Sequence, residues 1–452
     1  MICGPTMTRP RQTFDARDVP VSCSQPQVLA LYEKALQQYQ TYVGDPIATI
    51  DEALRIAPDF IVGHLFRAVA FMMMTEKRFS GEARTGVNAA KALLPSANSR
   101  ERILTVAAAV LLEGDWDAAN AAFDAVLVEN PRDAFAIQSA HLLDFYRGDS
   151  LNLRNRVTRV LPHWNADLPG YSYILGMHAF GLEECNQYSQ AEETGRRALA
   201  IEPKDAWAIH AVTHVMEMQG RIEEGIQWLA SRTEDWAPNN GFAFHNWWHL
   251  ALFYMDRGKF RDALSLYDSR IHAAPPDSAL QLLDATALLW RLHLEGAEIG
   301  TRASVIADNW AARLDAERGF YAFNDLHAML AFVLAGRENE GDRLLADLEW
   351  TINNGTGTNV MMTRDVGLPV CRGIRAFGQG RYGDAVTLIE PVRDIAHRFG
   401  GSHAQRDLLT LTLIEASIRG GQHRRAEHYI AERTILRPGG EWGPRLARRA
   451  AL

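Results

Sequence analysis

Two histidine pairs carry the chemistry of this sequence. In His210-Ala-Val-Thr-His214-Val-Met-Glu217, steps of four and three place two imidazoles and a carboxylate on one helix face. Phe242-Ala-Phe-His245-Asn-Trp-Trp-His249 repeats the four-residue step. His210 and His245 lie 35 residues apart, as do His214 and His249, and a further 35 residues from His249 lead to Asp284. Imidazole nitrogens suit Zn, Fe, Ni or Cu, so His210, His214, His245 and His249 read as ligands of one divalent transition metal, Zn or Fe. Glu217, His214, His249 and Asp284 are then the catalytic set, moving or orienting a proton. A lone histidine in a helical pattern is an ordinary packing residue. Four imidazoles and a carboxylate at matched positions are not, because burying them is costly unless each is paired or metallated.

Other residues extend this constellation. Trp207 and Trp248 beside the histidines serve as core aromatics or as walls of an apolar ligand pocket. Asn324, Asp325 and His327 offer groups to orient a ligand, although Asn324-Asp325 equally suits a helix cap. The string Ser402-His403-Ala404-Gln405-Arg406 offers donors and a fixed cation for a carboxylate or phosphate, with Ser402 as a helix cap the plainer reading. His178 and His141 precede the central set by about one and two repeats but fall partly off its stripe. A nucleophile elbow, a phosphate-binding glycine loop, a dinucleotide fingerprint and a zincin motif are all missing from the sequence, which leaves no nucleotide cofactor to expect.

What must position these residues is a repeat. From Gly114, Trp116, Ala119, Phe123 and Pro131 follow at +2, +5, +9 and +17, and from Gly258, Phe260, Ala263, Tyr267 and Pro275 follow at the same offsets. From Asn186, Tyr188, Ala191, Ala198 and Pro203 keep the frame. Gly or Asn ends one helix, a small Ala lets its partner pack close, and Pro stops that partner. Stops at Gly114, Gly148, Asn186, Gly220 and Gly258 are 34, 38, 34 and 38 residues apart, with later ones at Gly296, Gly336, Gly380 and Gly420. The spacing predicts an all-α, right-handed superhelical solenoid of paired antiparallel helices, tetratricopeptide-like, with its histidine stripe on the concave wall.

Residues 1–25 read as a flexible N-terminal segment, 26–436 as one solenoid domain and 437–452 as a C-terminal tail; Thr351–Asn359 reads as a loop able to cover a groove. The 452 residues carry 47 Lys and Arg against 55 Asp and Glu, a net charge of −8 that lacks the basic footprint of a nucleic-acid binder. No apolar run reaches the ~18 residues of a membrane span, and no secretory leader is expected from the polar first residues. Four scattered cysteines read as reduced thiols of a cytoplasmic protein.

The segments Trp207–Gly220, Phe242–His249, Leu283-Asp284-Ala285, Phe323–Ala328 and Gly401–Asp407 resemble the tetratricopeptide repeat protein 38 family over about residues 28–435. The resemblance implies a cytosolic superhelix of divergent repeats. Together with the residues it frames three functions. The first is an enzyme on a small molecule, of hydrolase or lyase type and metal-dependent. The second is a metal-free acid–base enzyme using the same groups. The third is a scaffold that takes a peptide or protein partner in its concave groove. No nucleic-acid or membrane partner is expected, and the sequence leaves the oligomeric state open.

Overall fold

A computed structural model describes residues 13–276 and 278–451. The chain is an all-α, tetratricopeptide-like superhelix of antiparallel helix pairs, joined by a two-stranded antiparallel hairpin, Thr13–Phe14 with Pro20–Val21, at its start. Inner helices include Ala134–Tyr146, Tyr171–Glu184, Ala206–Met218, Ala243–Asp256, Ala279–Leu294, Ala322–Leu334 and His403–Arg419. Each is followed by an outer helix, Ile222–Ala230 after Ala206–Met218 for example.

Local signals explain the boundaries. Asp133, Asp149 and Asp205 each cap a helix by accepting from a backbone N–H three residues on, which satisfies a donor that the first turn leaves free. The expected stops at Gly114, Gly148, Asn186, Gly220, Gly258, Gly296, Gly336 and Gly380 all take positive φ. The last stop lies one residue later than expected, at Gly421 instead of Gly420. Inner helices are apolar nearly all round, as fits helices enclosed by neighbours; every residue of Ala206–Met218 is buried.

The superhelix closes on itself. The Gly241 N–H donates to the Tyr42 carbonyl at 2.7 Å, and Glu76 accepts from the Ala279 N–H at 3.0 Å and from Arg313 at 2.6 Å. Further on, Thr358 N–H meets the Gly114 carbonyl at 2.9 Å, and the Tyr321 hydroxyl donates to the Tyr146 carbonyl at 3.0 Å. A Cβ on Gly220 would stand 1.6 Å from the Pro438 oxygen, so only glycine lets the C-terminal segment approach this turn.

Three expectations about segments change. Part of the N-terminal segment, residues 1–12, lies outside the described residues, but 13–21 form the hairpin, held by buried Arg17 on Asp15 and Glu33 at 3.2 and 2.8 Å. The expected loop at 351–359 is instead the end of helix Glu338–Asn354, a glycine turn and the start of helix Thr358–Met362, because the turn is tied to Gly114. The tail after 436 contains the helix Trp442–Ala450, whose Trp442 and Arg445 bond Glu295 at 2.6 and 2.8 Å. Cys23, Cys185 and Cys371 carry free thiols, while Cys3 lies outside the described residues. No helix among the described residues is long and apolar enough to cross a membrane.

Candidate functional site

The four histidines meet. Adjacent inner helices Ala206–Met218 and Ala243–Asp256 bring their rings together, with centroids 4.4 Å apart for His210 and His214, 4.5 Å for His214 and His249, and 4.8 Å for His245 and His249. The His210 and His245 Nε2 atoms stand 3.1 Å apart. Carboxylates hold the far side of the rings. His245 Nδ1 is 2.6 Å from Asp284, His249 Nδ1 is 2.8 Å from Glu217, and His214 Nδ1 is 3.4 Å from Glu183, long for a hydrogen bond. Histidine ligands of metals commonly donate their other N–H to a carboxylate in this way, which fixes the tautomer.

The electrostatics favour neutral rings. Burial, then the neighbouring imidazoles, pushes His210 and His249 well below the usual histidine range; burial pushes His214 down to about 4 despite Glu217 and Glu184. Behind them Arg291, fully buried and itself lowered to about 10 by burial, lies over the Trp248 ring at 5.2 Å, and Trp248 stacks on His245. If each Nδ1–H faces its carboxylate, the Nε2 lone pairs converge. A proton on His210 Nε2 settles its contact with His245, yet Nε2 of His214 and of His249 still has no hydrogen-bond partner. Buried unpaired acceptors are expensive, and a cation between them is the direct remedy.

The donor set fits a transition metal. One nitrogen from each of the four histidines lies within 4.8 Å of the others. With metal–nitrogen bonds of about 2.0–2.1 Å in a tetrahedral shell, ligand nitrogens stand ~3.4 Å apart, so the widest pairs would close by about an ångström or more on an ion. Glu183, Glu184 and His214 form a second buried group of this kind beside the first. Burial and the charge of Glu184 hold the Glu183 carboxyl well above its usual range. Burial acts on Glu184 the same way, but His403 and Arg406 overcome it and hold that carboxyl low.

Above the cluster lies a cavity of about 430 Å³. His210, His245, Asp284 and Gln405 line its polar end. Its walls are aromatic: Trp207 and Phe242 have centroids 5.1 Å apart, and Tyr42 stacks on both at 6.1 and 5.1 Å. Tyr42 arrives from the first helix pair, carried by the closure of the superhelix.

Of the residues expected to touch a ligand, Trp207 and Gln405 line this cavity, and the rest do not. Trp248 is fully buried behind His245. Asn324 donates to the Thr75 carbonyl at 3.0 Å, Asp325 accepts from the Gly319 N–H at 3.1 Å, and His327 Nδ1 donates to the Phe323 carbonyl at 2.7 Å. These three brace a helix start. His403 and Arg406 face Glu184, with the His403 N–H at 2.9 Å and the Arg406 guanidinium at 3.3 Å, instead of an outside anion. His141 packs edge-on to Trp207, and His178 bonds Thr158, so neither joins the cluster.

Two contributors escaped the sequence reading. Arg437 reaches back to Glu217 at 2.6 Å and to the His403 carbonyl at 3.1 Å; nothing in the local sequence announces it. Glu183 was legible, since it precedes the Asn186 stop by three residues as Glu217 precedes Gly220.

No family model matches the sequence. Similar solved structures include a tetratricopeptide repeat protein from Parabacteroides merdae, 16% identical over 62% of this chain and 99% of that one, with a TM-score of 0.36. The human IFIT1 dimer with m7Gppp-AAAA is 13% identical over 95% of each chain, with a TM-score of 0.45, and yeast Tom70 is 11% identical over 91% and 89%, with a TM-score of 0.41. The chain is tetratricopeptide-like in class; likeness at this level does not bear on the site, which stands on its own geometry.

Proposed function

We propose that this chain is a helical-repeat binding scaffold whose four central histidines hold one divalent transition metal, Zn or Fe, at the floor of a pocket for a small molecule. The observation that carries this reading is the convergence of four buried imidazoles, two with a carboxylate hydrogen-bonded to Nδ1, a third with the Glu183 carboxyl 3.4 Å from Nδ1, and two with an unpartnered Nε2. A metal bound there supplies Lewis acidity to a ligand oxygen. His245 and Asp284 line the pocket floor.

The enzyme readings, metal-dependent hydrolase or lyase and metal-free acid–base enzyme, ask for an untied proton carrier. Glu217 has one oxygen on His249 and the other on Arg437, and Asp284 has one on His245 and the other 3.3 Å from Gln405. Both expected proton carriers are engaged as braces, which supports binding, and not turnover, as the function we propose, although Glu183 behind His214 has no hydrogen-bond partner on either oxygen. A peptide or protein partner is the second reading. Half-buried Phe71, Phe79 and Phe244 border the cavity, and a partner's apolar side chain fits between them as a small molecule does.

The test is metal content. Protein purified without a histidine tag, or stripped and reloaded with Zn²⁺ or Fe²⁺, should hold about one ion per chain, and the bound ion should raise the melting temperature. His214→Ala with His249→Ala should abolish uptake. A stripped wild type that takes up neither ion sinks the metal centre.

A further inference from the structure

The buried charges around the histidine cluster are unevenly matched. Glu217 is held by Arg437 at 2.6 Å, Glu184 by Arg406 at 3.3 Å and Asp407 by Arg433 at 2.9 Å, so each of these carboxylates has a guanidinium of its own. Asp284 and Glu183 meet only histidines as ion-pair partners among the described residues. Arg291 is the reverse case: fully buried, it donates to the Ala287, Ala404 and Gln405 carbonyls and makes no salt bridge among the described residues. Imidazoles that ligate a metal are neutral. With every carboxyl counted as ionised, Asp284 and Glu183 bring two negative charges, whereas Arg291 and a divalent ion bring three positive ones. One positive charge is left over. An unmatched charge in a buried site is costly, and a monoanion on the ion removes it.

The cavity decides what carries that negative charge. It meets the cluster through His210 and His245, with His214 and His249 fully buried behind them, so the floor is the side on which an outside ligand arrives. No Lys or Arg lines the cavity. Away from the floor its walls are the rings of Tyr42, Phe71, Phe79, Phe180, Trp207 and Phe242, which bury an apolar body and offer a second anionic group no countercharge. A volume of about 430 Å³ is within the range of small-molecule sites and far exceeds a hydroxide.

We propose that the cavity takes an amphiphilic monocarboxylate, with its carboxylate on the ion at the His210–His245 floor and its apolar body among the aromatic walls. This rests on the reading of the four histidines as a metal centre and names the class of molecule that the pocket above it holds. Selectivity has three parts. A neutral molecule of the same outline leaves the positive charge unmet, a dianion carries its second carboxylate into walls that hold no cation, and a short acid leaves the walls unfilled.

Four probes separate these terms: 2-naphthoate; methyl 2-naphthoate, neutral on the same rings; 2,6-naphthalenedicarboxylate, charged at both ends; and acetate, with no apolar body. Equilibrium dialysis against Zn²⁺-loaded protein should show 2-naphthoate binding about tenfold or more tighter than each of the other three, and tighter by the same factor than it binds metal-stripped protein. The methyl ester should bind both forms alike. With Co²⁺ in place of Zn²⁺, 2-naphthoate and not the ester should shift the visible absorption of the ion, which reports a carboxylate in contact with it. Equal affinity of loaded and stripped protein for 2-naphthoate, a dicarboxylate or acetate that matches it, or an unchanged Co²⁺ spectrum overturns the inference. Every comparison uses the wild-type chain, so no variant's folding enters. A stripped protein that takes up none of Zn²⁺, Fe²⁺ and Co²⁺ fails the metal centre, and the inference with it. One that takes up Zn²⁺ and shows no preference for 2-naphthoate keeps the centre and loses this inference alone.

Discussion

A histidine that the folded chain keeps neutral makes stability depend on pH through the unfolded chain. Burial drives His141 from 6.5 down to about 3. Its folded pKa is lowered, so below about pH 6.5 the unfolded state binds a proton that the folded state refuses, and stability falls as pH falls toward 3. His141→Leu removes that one proton. Urea unfolding of both proteins at pH 7, 6 and 5 should show the variant gaining on wild type by about 1.4 kcal/mol per pH unit below 6.5; a difference that stays constant means the ring is charged in the fold. Comparing the two proteins cancels groups of opposite slope, such as Asp205 and Asp325, which burial raises to about 7. At this scale the sequence was most legible where a repeat multiplied it. His210, His214, His245, His249 and Asp284 were found by their 35-residue offsets, and they meet. Trp248 was left open between core and pocket wall because proximity in sequence does not say which side of the helix a ring takes; it lies behind the cluster while Trp207 lies in front.

Helix ends were legible because glycine and asparagine at positive φ, aspartate caps and prolines act locally. Segments held by remote partners were not. The C-terminal stretch reads as a tail, yet it contributes Arg437 to Glu217 and a helix whose Arg445 bonds Glu295. Burial opposes a charged Arg437, but Asp407 and Glu217 outweigh it and raise its pKa. Arg437 therefore fixes the carboxylate that orients His249, and it is a positioning residue for the proposed metal centre. Arg437→Met keeps the stem and removes the charge. Competition with a metal-sensitive dye should show Zn²⁺ held about 10–100-fold more weakly, the loss typical of an outer partner of a ligand. Arg257→Met is the control, since that residue pairs with exposed Glu223 and Glu441; it should leave affinity unchanged. Equal affinity in all three proteins removes Arg437 from the centre's support.

An open solenoid touches only its neighbours, so its stability is a sum of local terms and its ends can melt alone. This molecule is built differently. Contacts run from residue 42 to 241, from 76 to 279 and 313, from 114 to 358, and from 217 to 437, and these put the first helix pairs and the last segment in one structure with the middle. The closure also makes the pocket, since Tyr42 and Phe71 from the beginning of the chain face Trp207 and Phe242. No repeat pattern shows this, because pairing across the superhelix depends on its accumulated curvature. Glu76 tests it: fully buried, it accepts from the Ala279 N–H and pairs with Arg313 at 2.6 Å. Removing one partner of a buried pair costs about 3–5 kcal/mol, which for a chain this long is a fall of about 5 °C in melting temperature. In a closed molecule Glu76→Ala lowers one cooperative transition by that amount, and hydrogen exchange rises in Ala206–Met218 as well as in Ile61–Met72. In an open array the same variant loosens only the helices around residue 76, the main transition stays in place, and the pocket of the central repeats is unaffected. Calorimetry with exchange mapping of the two helices separates these outcomes, and a change confined to Ile61–Met72 rules out closure as the source of the pocket's stability.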